Sequence, residues 1–132
     1  MSEMKILIIF IVGLAFVACI CSTIPFAYAH HEKVIVRITP QSHNFDCASN
    51  KSCHHPSVLT IQAGRTVEWQ NRDDFYAHAI VSGSSLDFNG GSLFSSDLIK
   101  PHNTFSFTFK NAGKYNYFCS IHPWATGVII IR

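Results

Sequence analysis

Thioether sulfur is confined to the extreme start of this 132-residue chain: its two methionines are Met1 and Met4. Charge is scarce as well. Charged residues make up 14%, the formal net charge is +2, and no basic stripe or run of like charges occurs, which excludes the electrostatic footprint of a nucleic-acid binder. Sustained helical periodicity is missing outside residues 6–20, which excludes a helical bundle and an amphipathic membrane-surface helix. Repeats and low-complexity linkers are also missing, and the length leaves no room for two full cores, so one small domain is expected.

The apolar run at 6–20 follows Lys5 and leads to Ala27-Tyr28-Ala29, a small-x-small pattern suited to signal-peptide cleavage. Residues 1–29 are therefore read as a signal peptide, with an uncleaved membrane anchor as the alternative, because apolar character continues to about Ile24. Residues 30–132 are the domain, expected in an extracytoplasmic, periplasm-like space. Any membrane contact would run through the N-terminal segment alone. Cys19 and Cys21 fall in the leader, which leaves Cys47, Cys53 and Cys119 in an exported domain. Export favours oxidation, so Cys47 and Cys53 are predicted to form a disulfide across A-S-N-K-S, with Cys119 left free. The competing reading gathers Cys47, Cys53, His54, His55 and His43 into a second metal site, although their spacing matches no zinc pattern.

From His30 onward the pattern is that of short strands. Residues 33–39 alternate Val and Ile with polar residues, and residues 58–62 and 66–70, joined at Ala63-Gly64, read as a hairpin with Val67 and Trp69 buried and Glu68 outward. Residues 79–82 follow, then 104–109, where Phe105, Phe107 and Phe109 share a face, and finally 115–119 and 128–131. The expected fold is all-β, a Greek-key β-sandwich preceded by an N-terminal signal or anchor helix.

The stretch K-Y-N-Y-F-C-S-I-H-P-W-A-T-G, starting at Lys114, places Cys119 at a strand end and His122 on the following turn, and Pro123 stiffens the chain beyond. His78 in D-D-F-Y-A-H adds a second imidazole at the mouth of another apolar strand. Two imidazoles and one thiolate form a trigonal set that suits copper, whereas structural zinc takes four ligands with paired spacing. His102 is expected on an exposed turn, and His54 and His55 are expected exposed beside Pro56. His30 and His31 would form a further copper(II)-binding set with a free amine if cleavage follows Ala29.

Together with N-R-D-D-F-Y-A-H, L-F-S-S-D-L-I-K-P, F-S-F-T-F-K-N-A-G-K-Y-N-Y-F-C and I-H-P-W-A-T-G, this motif makes residues 58–131 resemble the small cupredoxins of the plastocyanin and amicyanin type. The resemblance implies one type 1 copper on His78, Cys119 and His122, and a methionine as weak axial ligand three residues after the second histidine. Here that residue is Ala125. The axial position is thus expected to be open, as in the purple cupredoxins of ammonia-oxidising archaea, which this chain resembles more than an ordinary blue carrier.

Two functions follow from that resemblance. One is electron exchange with a redox partner protein docking near His122 and Trp124, aided by Pro123, Phe75 and Tyr76. The other is copper-dependent enzymatic oxidation of nitric oxide to nitrite, with nitric oxide, nitrite or water as the small ligand beside Ala125. Copper storage through the outlying histidines is a third, weaker class.

Overall fold

The computed structural model describes residues 32–132, so the expected leader, with Cys19, Cys21, His30 and His31, lies outside the described residues. Eight strands form two four-stranded sheets: β1 (Val34–Ile38), β2 (His54–His55), β3 (Val58–Ile61), β4 (Thr66–Asn71), β5 (Ile80–Ser82), β6 (Thr104–Thr108), β7 (Gly113–Cys119) and β8 (Thr126–Ile131). One sheet has the order β2-β1-β4-β6 and the other β3-β8-β7-β5. The result is an all-β sandwich, as the strand pattern predicts.

Alternation sets the faces. Along β4 every second residue is buried, with Val67, Trp69 and Asn71 inward, while Glu68 stands on the outer side and pairs with Lys33 at 2.7 Å. Trp69 is the hub of the core. Its ring lies 5.7 Å from Phe105 on the same sheet and 5.3 Å from Tyr117 on the facing one, with Phe94 at 5.5 Å. Offset and edge-on rings at such distances add to the burial itself.

The expected hairpin over 58–70 is not formed. β3 runs parallel to β8, whereas β4 is placed between β1 and β6, so the two strands belong to different sheets. Ala63-Gly64 is therefore a corner of the sandwich: the Ala63 amide donates to the Arg132 carbonyl and the Gly64 amide to that of Phe109. Gly64 has φ +85°, a left-handed conformation that glycine adopts without steric cost.

Two short 3-10 helices, Pro40–His43 and Phe45–Ala48, make up most of the segment between β1 and β2. Cys47 and Cys53 close its last part, residues 47–53, with a disulfide, leaving Cys119 as the free cysteine among the described residues. Among these residues no helix is long and apolar enough to cross a membrane.

Candidate metal centre

β7 ends at Cys119, and residues 120–125 turn back into β8. The turn is closed twice, by the Ala125 amide donating to the His122 carbonyl at 2.8 Å and by the Cys119 amide donating to the Ala125 carbonyl at 2.9 Å. His122 is thereby folded toward the strand end. His78 arrives from the segment before β5, where its amide and carbonyl are both bonded to Ile99. Cys119 Sγ lies 3.7 Å from Nδ1 of each histidine, and the two nitrogens are 3.2 Å apart.

The three donors fit a metal. A triangle of these sides has a central point about 2 Å from each corner, close to the roughly 2.0–2.3 Å of metal bonds to imidazole nitrogen and thiolate. With both Nδ1 atoms unprotonated, two lone pairs would face each other at 3.2 Å, and a cation between them would remove that repulsion. A soft thiolate with two imidazoles favours copper. Burial pushes the His78 imidazole down to about 4, an effect reinforced by His122 and opposed by Asp73. Burial lowers His122 as well, helped by His43. Both rings are therefore neutral near pH 7, the form that binds metal without first losing a proton.

A family model for the cupredoxin-like domain matches residues 8–131. The chain belongs to this family. The cupredoxin is 32% identical to amicyanin from Paracoccus versutus over 74 residues, which are 56% of this chain and 54% of the relative. It is 34% identical to plastocyanin from Scenedesmus fuscus over 73 residues, 53% of this chain and 74% of that one. The chain thus spans about half the length of the amicyanin it matches. Among solved structures, a purple cupredoxin from Nitrosopumilus maritimus superposes with a TM-score of 0.62 at 30% identity, covering 76% of this chain and all of that one. Cupredoxins bind one type 1 copper, and two imidazoles with one thiolate are the cluster present here.

Ala79, which follows His78, has no side chain able to tie the two ligand loops. The cupredoxin ties them through its backbone instead: the Ala79 amide points at Cys119 Sγ, 3.4 Å away, and its carbonyl accepts the Ser120 amide at 2.9 Å. Ala125 is fully buried. A cleft of about 200 Å³ lined by Cys53, Ser57, Trp124 and Thr126 includes neither Ala125 nor any of the three donors.

Asp73, Ser42 and Phe45 lie beside the site and had no role in the sequence reading. Asp73 is 2% exposed, with Oδ1 accepting the amides of Phe75 and Tyr76 and Oδ2 facing His43 and His78. Trp124 donates its indole N–H to the Ser42 carbonyl at 3.2 Å, and Phe45 packs edge-on against its ring. The N-x-D-x-F-Y spacing over 71–76 was the available signal, since Asn and Asp accept amides two and three residues on.

His54 overturns its expectation. It is 1% exposed, with Nδ1 bonded to the Thr126 carbonyl and its ring 5.2 Å from Tyr117, whereas His55 is exposed as expected. His102 is on an exposed turn at φ +62°, beside Asp74. The alternative metal cluster around Cys47 and Cys53 is lost to the disulfide.

Proposed function

We propose that this cupredoxin is an exported electron carrier whose domain begins near His30 and whose single type 1 copper is held by His78 Nδ1, Cys119 Sγ and His122 Nδ1. The observation that carries this reading is the convergence of these three buried donors within 4.8 Å of one another. Copper supplies a one-electron couple, and the chain keeps it dry, since His78 and Cys119 are wholly buried.

His122, at 9% exposure, is the ligand whose edge reaches the surface. Exposed apolar side chains cluster on the loops beside it: Ile121, Phe75, Tyr76 and Phe45, the last resting on Trp124. A short-lived redox encounter needs only a small apolar patch of this kind, so a partner protein is expected to dock over His122 and Trp124.

Cys119→Ser tests the assignment. The intense visible thiolate-to-copper band should vanish, because the soft ligand that produces it is gone. A mutant that keeps its colour would overturn the reading.

A second reading is favoured by Ala125, which stands at the family's axial methionine position in a domain with no thioether. An alanine methyl in place of that side chain leaves room of about one water or diatomic molecule beside the metal. A one-electron oxidation of nitric oxide with water would yield nitrite and two protons, the electron leaving by the His122 side. Spectral shifts on adding azide or nitrite to the wild-type protein support this reading, and an unchanged spectrum removes it.

A further inference from the structure

Outside the donor triangle, the buried polar atoms nearest the site converge on one carboxylate. Asp73 is 2% exposed and has no lysine or arginine partner among its contacts. Oδ1 is occupied by the amides of Phe75 at 2.9 Å and Tyr76 at 3.1 Å. Oδ2 is left between two imidazoles, His43 Nδ1 at 3.2 Å and His78 Nε2 at 3.5 Å. His78 Nε2 is fully buried and forms no hydrogen bond, the 3.5 Å approach of Asp73 Oδ2 being a charge contact only. We propose that Asp73, braced by His43, is the positioning residue for the first copper histidine. It keeps the proton of the His78 ring on Nε2, so that the Nδ1 lone pair faces the metal. This inference rests on the reading of His78 as a copper ligand.

The chemistry allows one arrangement. With the proton on Nδ1, it would point into the donor triangle, and the Nε2 lone pair would meet a carboxylate oxygen 3.5 Å away. With the proton on Nε2, the N–H lies beside that oxygen, 3.5 Å from nitrogen to oxygen and short of a hydrogen bond, and the repulsion becomes attraction. A metal drawing electrons from Nδ1 makes the Nε2–H a better donor and tightens the contact. Burial opposes ionisation of Asp73, but the two amides and two imidazoles outweigh it, and its carboxyl is held below the usual range.

The carboxylate is itself fixed. Asn71 Oδ1 accepts the Asp73 amide at 2.9 Å, while Asn71 Nδ2 donates to the carbonyls of Tyr76 and Ile99, both at 2.9 Å. Ile99 is the residue that clamps the His78 backbone. His43 ends the 3-10 helix Pro40–His43, and its ring stacks on Tyr76 at 4.2 Å. Its neighbour Ser42 holds Trp124 of the other ligand loop. One short helix thus reaches behind both copper loops, and the Ser42 hydroxyl ties it to the Cys53 carbonyl.

Asp73→Asn tests the role in the copper-loaded protein. The Phe75 and Tyr76 amides would retain the amide oxygen, which turns the NH2 group toward His78 Nε2 and sets donor against donor. Copper(II) loss to a chelator should accelerate about 10–100-fold, the usual cost of removing such a partner. The reduction potential should rise, because a negative charge that favours copper(II) has gone. In the diamagnetic copper(I) form, the His78 Nε2–H should give a slowly exchanging downfield proton resonance in wild type, moved upfield in the variant. A wild-type protein without that protected resonance overturns the proposal with no variant needed. His43→Phe keeps the stack on Tyr76 but removes the brace, and should raise the copper loss rate less than Asp73→Asn does; an unchanged rate overturns the brace. The two readings separate cleanly. A normal type 1 spectrum in His78→Gln defeats the ligand assignment itself, whereas a lost spectrum there with an unmoved potential in Asp73→Asn defeats only the positioning role.

Discussion

Acidification should destabilise the fold through a histidine that binds no metal. His54 is buried against Tyr117, with Nδ1 donating to the Thr126 carbonyl and Nε2 left without a partner. Burial pushes its imidazole from 6.5 to about 4, with the Thr126 carbonyl opposing and His78 adding to the fall. In the unfolded chain the same ring takes a proton as pH drops through 6.5, while in the fold it stays neutral until about 4. Stability from this residue is therefore complete above 6.5 and lost progressively between 6.5 and 4. At about 1.4 kcal/mol per pKa unit the full loss is roughly 3 kcal/mol, of which about 2 kcal/mol is gone by pH 5. Urea unfolding of copper-free wild type and His54→Asn at pH 7 and pH 5 isolates the effect. His78 and His122 are also depressed and push the same way in both proteins, so only the difference between the proteins belongs to His54. The shorter amide keeps a donor near Thr126 but cannot titrate, so wild type should lose about 2 kcal/mol more than the variant on acidification. Equal losses would refute the burial argument.

Other perturbations address the core, the bridge and the axial position. Gly127→Ala would drive a methyl into the Tyr117 ring, which is fixed between the sheets, and overpacking of this kind should cost about 1–3 kcal/mol in denaturant unfolding; an unchanged midpoint contradicts it. Replacing Cys47 and Cys53 together by serine should cost about 2 kcal/mol from a bridge closing so short a loop, and thiol counting on the unreduced, unfolded domain from His30 should find one reactive thiol rather than three. Ala125→Met should turn the colour toward the ordinary blue form, shift the reduction potential and abolish spectral responses to azide and nitrite along with any nitrite formation from nitric oxide. Electron exchange should survive in that variant, and a variant that still responds to azide would refute the axial account.

Period-two patterns placed most strands, because a residue's inward or outward sense is local information: Val67, Trp69, Phe105 and Phe107 follow from it directly. The donor trio was legible for a similar reason, since Cys-x-x-His fits one tight turn and His78 is at a strand mouth. Sheet membership was not. Whether β3 and β4 form a hairpin depends on whether β8 and β6 compete for their edges, and both lie far along the chain. His54 was hidden in the same way. Two histidines before a proline look solvated, but β2 pairs with β1 so that His55 is opposite exposed Arg37 and His54 opposite buried Ile38. Pairing in register sends partners to the same face, so a two-residue strand buries one histidine and exposes the other. Asp73 escaped notice because its role lies in converging on His43, thirty residues earlier, and on His78, which no spacing rule connects.

Ala125 shows why the two functional readings differ at a single side chain. Its amide and carbonyl close the ligand loop, bonding to His122 and Cys119, and any residue except proline can supply both groups. The backbone that fixes the thiolate and the second imidazole is therefore indifferent to which side chain stands at position 125, and His78 is held separately by Ile99. A methyl group there would leave the three donors and the exposed edge of His122 as they are, and would alter only what could approach a bound copper from the side of residue 125. Electron transfer depends on the first set of features and small-molecule chemistry on the second. Exchange of Ala125 for methionine accordingly separates the two activities without dismantling the site that both would use.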